Sequence, residues 1–84
     1  MYDRDDVLKD LRNWVVEFTM DNGIMFRATL KPEYLPEQYK EEKNIEEEYH
    51  NNNPEMITCF GVVQKKYFSF NIKDVKYMQL IDSY

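Results

Sequence analysis

Several residue types are scarce in this chain, and each scarcity excludes something. There is one cysteine, one histidine, two glycines and three prolines in 84 residues. A lone Cys59 permits neither an internal disulfide nor a cysteine-based metal cluster. Its place in the apolar run Met56-Ile57-Thr58-Cys59-Phe60 predicts a buried, inert thiol. Gly23 and Gly61 are too few and too far apart for a glycine-rich phosphate loop. No apolar run approaches the ~20 residues of a membrane-spanning helix. Met1 is followed by Tyr-Asp-Arg-Asp-Asp, not by the basic patch and apolar stretch of a signal peptide, so a reducing, cytoplasmic location is expected.

Basic charge is also in short supply. Eleven Lys and Arg stand against 16 Asp and Glu, for a net charge of −5. Residues 1–30 carry −2, residues 31–55 carry −5 and residues 56–84 carry +2, so acidity is concentrated in one segment. Such a chain is not expected to coat nucleic acid, because phosphate contacts need clustered Lys and Arg. The carboxylate runs Glu41-Glu42 and Glu46-Glu47-Glu48 lie in a polar stretch. Acid–base catalysis needs two carboxylates held at fixed separation across a cleft, one of them buried. His50 neighbours Glu46 and Glu47 at helical spacing, but zinc takes three or four preformed ligands. Ser69 and Ser83 have no glycine-flanked elbow. No catalytic residue, metal ligand or cofactor is therefore expected, and the chain is not read as an enzyme.

Large apolar side chains, in contrast, are plentiful. The chain is 43 % hydrophobic and 15 % aromatic, with seven Tyr, five Phe and one Trp. Each aromatic ring can remove ~150–250 Å² from water, enough together to build one domain over residues 1–84. Asp3 to Arg12 reads as a short helix (3–12), with acidic residues at its N-terminus and Val7, Leu8 and Leu11 as its apolar stripe. Trp14, Val16, Phe18 and Met20 alternate with Val15, Glu17 and Thr19. Asp21-Asn22-Gly23 supplies a turn, and Ile24, Phe26, Ala28 and Leu30 then alternate with Met25, Arg27 and Thr29. Residues 14–36 are thus a β-hairpin and a connector carrying Pro32 and Pro36.

Residues 37–55 are polar, with Ile45 the sole aliphatic side chain, and Asn51-Asn52-Asn53-Pro54 ends the stretch. They are read as a long acidic excursion, either a solvated helix or a loop. Residues 56–81 hold three more strands. Met56–Val63 is apolar, with Gly61 marking a bulge or close backbone approach. Tyr67–Asn71 is short, Ile72-Lys73-Asp74 is a tight turn, and Val75–Ile81 is the last strand. In that strand Val75, Tyr77, Gln79 and Ile81 are expected opposite Lys76, Met78 and Leu80. The sum is a mainly β chain: a small SH3-like five-stranded barrel with an N-terminal helix and a long acidic excursion between strands 2 and 3.

Val16-Glu17-Phe18-Thr19, Asn22-Gly23, Arg27-Ala28-Thr29-Leu30 and Leu35-Pro36, with Tyr67, Ser69-Phe70, Ile72 and Val75 in the second half, resemble a group of small phage proteins. These are described only as SH3 β-barrel fold-containing proteins of unknown function. The resemblance implies a virus-encoded protein acting in a bacterial host cytoplasm and brings no known chemistry. The end pattern is also similar to the WYL domain, an SH3-like barrel that senses nucleic-acid or nucleotide ligands. The Trp-Tyr-Leu run is replaced here by Ile57-Thr58-Cys59-Phe60, and Lys73 alone keeps a positive charge where Phe68 and Asn71 replace basic residues.

Two contact surfaces follow. Tyr34, Tyr39, Glu46, Glu47, Glu48 and Tyr49 combine acidic charge with tyrosine, a common interface anchor, and suit a host or phage protein partner. Lys65, Lys66, Tyr67, Lys73 and Lys76 form the one basic–aromatic cluster, the chemistry of a nucleic-acid or nucleotide binder.

Overall fold

In the computed structural model, residues 2–37, 40 and 55–81 are described. The helix α1 spans Arg4–Asn13, one residue later than the apolar pattern alone suggests. Asp3 occupies the cap position without a side-chain capping bond, while its carbonyl accepts from the Val7 N–H at 3.0 Å. Asp5 and Asp6 in the first turn and Arg12 in the last complement the helix dipole. Val7, Leu8 and Leu11 are all buried, so the short stripe faces the core as expected.

Five antiparallel strands follow: β1 (Val15–Met20), β2 (Met25–Thr29), β3 (Met56–Gly61), β4 (Lys66–Asn71) and β5 (Val75–Ile81). They form one sheet in the order β4-β3-β2-β1-β5, leaving β4 and β5 as its edges among the described residues. The β1–β2 hairpin turns where Asn22-Gly23 predicts. Gly23 takes φ +89°, its N–H reaches the Met20 carbonyl at 2.9 Å, and the Asn22 side chain accepts from the Ile24 N–H at 3.0 Å. A three-residue loop with glycine in the left-handed region fixes the pairing of Glu17 with Arg27 and of Phe18 with Phe26.

The sheet is strongly curled. Neighbouring strands lie ~4.8 Å apart, so β1 and β4, three steps away from each other, would stand about 14 Å apart in a flat sheet. Instead the rings of Phe18 on β1 and Phe70 on β4 meet with centroids 5.0 Å apart. Phe26 on β2 lies 5.4 Å from Phe18 and 5.4 Å from Phe70. The aromatic core is therefore wrapped by the sheet, and α1 covers it, packing on β1, β2 and β3. Two bonds tie the turns together: the Asp21 N–H donates to the Asp74 carbonyl at 2.8 Å, and the Ile72 N–H to the Glu55 carbonyl at 2.7 Å.

Gly61 is a close approach, as its sequence position implied. A Cβ there would lie 2.4 Å from the Phe68 ring and 2.8 Å from the Gln64 side-chain oxygen. Cys59 is fully buried, and burial alone pushes its thiol well above the ordinary range. It should resist thiol reagents in the folded protein at mildly alkaline pH and react fully in denaturant, as timed labelling would show. Because the folded thiol keeps its proton, this group's contribution to stability is intact below the unfolded thiol's pKa of about 8.5 and is lost as pH rises beyond it.

Three expectations are corrected. Trp14 is 36 % exposed instead of facing the core, because it ends α1, its N–H bonded to the Asp10 carbonyl at 2.8 Å, before the strand begins. Ile24, placed with the core face of the hairpin, is 59 % exposed because it belongs to the turn. The alternation expected in β5 also fails. Thr19 pairs with Tyr77 but Met20 pairs with Val75, so Lys76 is an extra, bulged residue. The bulge shifts the phase by one, and Val75 and Met78 both pack on the core. The acidic excursion expected over 37–55 falls mostly on residues 38–39 and 41–54, outside the described residues.

Candidate functional site

Residues opposite one another in antiparallel strands share a face. On the outer face of β2, β1 and β5, Met25, Thr19 and Tyr77 therefore form one row, and Arg27, Glu17 and Gln79 the next. Thr19 is buried between its neighbours, while Met25 and Tyr77 are 56 % and 52 % exposed. In the second row Arg27 Nε donates to Glu17 Oε2 at 3.0 Å, which holds both long side chains in place across the strands. Val63 and Gln64, in the β3–β4 turn, join Met25 and Arg27 around a depression. The Val62 N–H fixes this turn to β2 by donating to the Arg27 carbonyl at 3.1 Å. The arrangement is an apolar and aromatic row beside an ordered ion pair. Among the described residues no three His, Cys, Asp or Glu side chains gather as a metal site requires.

Of the residues read from sequence as a protein-binding set, Tyr34 is described. It closes the 3-10 turn Pro32–Tyr34, half-buried, with Lys31 Nζ 5.7 Å from its ring centroid. Lys31 also bonds Glu33 at 2.9 Å, and that hydrogen bond holds its ammonium above the ordinary lysine value. Tyr39, Glu46, Glu47, Glu48 and Tyr49 lie outside the described residues, as does His50.

The basic–aromatic set is spread over the sheet. Lys65, with φ 59°, sits in the exposed β3–β4 turn, and Lys66 opens β4 with its Nζ 5.5 Å from the Phe68 ring centroid. Lys73 lies past the far end of β4, about 20 Å away at strand spacing, and pairs with Glu55 at 2.9 Å. Lys76 is the bulged residue of β5, at the opposite edge of the sheet. The Tyr67 ring packs edge-on against Phe60, 5.1 Å away.

The Met25–Thr19–Tyr77 row was not singled out from sequence. Half of its signal was legible: Met25 is an apolar residue on the polar face of the hairpin. The other half was not, because Tyr77 reaches that face only through β1–β5 pairing. No protein-family model matches this chain, and neither a curated protein nor a solved structure does.

Proposed function

We propose that this chain is a non-enzymatic protein-binding module built as an SH3-like barrel, a phage-encoded accessory or host-modulating protein acting in a bacterial cytoplasm. The strand order, the curl that brings Phe18 onto Phe70, and the 3-10 turn Ile72–Asp74 before the last strand support the barrel reading. The phage setting rests on the sequence resemblance alone. The observation that carries the binding function is the exposed row formed by Met25 and Tyr77 across three strands, beside the fixed Arg27–Glu17 pair. Met, aromatic residues and Arg are the types enriched where proteins meet. Tyr34 and the acidic residues Glu46, Glu47 and Glu48, with Tyr39 and Tyr49, extend this reading to a second contact surface.

A second reading, a nucleic-acid or nucleotide-binding barrel, draws on Lys66 above the Phe68 ring and the exposed Lys65 beside it. One experiment separates the two. Affinity capture from bacterial lysate, with and without nuclease, is run with the wild type, Met25→Ala/Tyr77→Ala, Lys65→Glu/Lys66→Glu, and a chain in which residues 37–53 are a Gly/Ser linker. A single protein that survives nuclease and the lysine changes, and is lost with Met25→Ala/Tyr77→Ala or the linker, is the expected result. Capture that collapses with nuclease, salt and the lysine changes would instead establish the second reading.

A further inference from the structure

Among the described residues no strand pairs with the outer edge of β5. The Met78 N–H does not turn toward β1; it donates to the Tyr2 phenol oxygen at 3.3 Å. Outward-facing amides alternate along a strand, so beyond the bulge at Lys76 the residues Met78 and Leu80 present their N–H and C=O to the open side. The hairpin geometry agrees. Met20, and with it Phe18, exchanges backbone bonds with β2, which leaves Glu17 and Thr19 to bond Gln79 and Tyr77. Tyr2 thus occupies the place that a neighbouring strand's carbonyl would take, with one long hydrogen bond from a 36 % exposed side chain.

We infer that the β5 edge pairs with the β5 edge of a second copy of this chain, antiparallel, about a two-fold axis at Gln79, and that Tyr2 competes for that edge. The regular segment Tyr77–Ile81 is its own complement in this register. Met78 faces Leu80 of the second copy, Tyr77 faces Ile81, and Gln79 faces Gln79. Apolar residues meet apolar ones, amide meets amide, and no charge lies in the contact. The two Met78–Leu80 pairs supply about four backbone hydrogen bonds. Leu80 and Tyr77, 43 % and 52 % exposed in the single chain, each gain an apolar cross-strand neighbour, and the outer face of Tyr77 stays open. The bulged Lys76 ends the pairing, because a bulge spoils the regular edge beyond it. The product is a continuous two-fold sheet in which each Met25–Thr19–Tyr77 row runs on into Ile81 of the second copy. The inference does not depend on the identity of any other partner.

Sedimentation equilibrium over a range of concentrations, at low and high salt, tests it with two variants that leave the fold intact. Tyr2→Phe keeps the ring and removes only the hydroxyl that competes for Met78. It should strengthen dimerisation about five- to a hundred-fold, the equivalent of one modest hydrogen bond released in each of the two chains. Gln79→Lys places a cation opposite Glu17 within each chain but sets like charges face to face at the two-fold, and should weaken dimerisation several-fold. Higher salt should strengthen the dimer, since two chains of charge −5 repel. A chain that stays monomeric even as Tyr2→Phe, an assembly larger than a dimer, or a dimer indifferent to Gln79→Lys would each overturn the inference.

Discussion

Phe18→Ala should leave the protein largely unfolded at modest urea concentrations. Phe18 is fully buried, and its ring touches Phe26 and Phe70 at centroid separations of 5.4 and 5.0 Å. It is the central contact between β1, β2 and β4, and β1 and β4 meet only because the sheet curls around it. Truncation removes the transfer free energy of the ring and leaves a cavity that the two flanking rings cannot both fill. Phenylalanine-to-alanine changes at such sites cost about 3–5 kcal/mol. A chain of this length has roughly 5–10 kcal/mol of stability in total, so the loss is a large share of it. The midpoint of thermal unfolding should fall by roughly 15–30 °C, taking about 4–8 °C per kcal/mol for a small domain. Phe18→Leu, which keeps most of the volume, should cost less than half as much. Urea titrations of the two variants followed by circular dichroism measure the difference, and equal costs would mean that restored volume recovers nothing and that the ring contacts carry the whole effect.

Thr29→Val should destabilise by about 2–3 kcal/mol although it preserves shape and volume. Thr29 is completely buried, and its hydroxyl lies 3.1 Å from the Leu11 carbonyl and 2.9 Å from that of Trp14 while accepting the Lys31 N–H at 3.0 Å. One side chain on β2 thereby satisfies the last turn of α1, the start of β1 and the exit of its own strand. The Leu11 carbonyl keeps a second partner, the Leu30 N–H at 2.8 Å. Valine removes the hydroxyl partner of the Trp14 carbonyl and of the Lys31 N–H at a part-buried site, where each unmet polar group bears part of its desolvation cost. Thr29→Ser retains the hydroxyl and should recover most of the loss. Amide exchange at Lys31 gives a local readout: it should accelerate in Thr29→Val and remain protected in Thr29→Ser.

These two residues show what local pattern can and cannot reveal. Phe18 was legible as a core residue because it alternates with Glu17 and Thr19 in a strand that an Asn-Gly turn closes. Thr29 was legible only as a member of the polar face of the hairpin. Its burial comes from the helix laid over that end of β2, which no alternation can register. Trp14 failed in the opposite sense: alternation put it on the face of Val16 and Phe18, and its place as the residue that ends α1 turned it toward solvent. Among the candidate site residues, Lys65 and Lys66 adjoin in sequence and in space, whereas Lys73 lies within, and Lys76 just past, a turn that sends the chain to the other edge of the sheet.

By itself the sequence determined the class of secondary structure, the β1–β2 hairpin, the inward stripe of α1, the buried thiol of Cys59 and, at Gly61, a bulge or a close approach. Each of these has a local signal, in turn chemistry, side-chain period or the apolar character of a short run, even where distant contacts complete the burial. Only the tertiary structure decided that β5 pairs with β1, that a bulge at Lys76 returns Met78 to the core beside Val75, and that Tyr77 joins Met25 on one outer face. Those features depend on hydrogen bonds between opposite ends of the chain. Their free energy is gained only once the intervening strands have curled around Phe18 and its neighbouring rings.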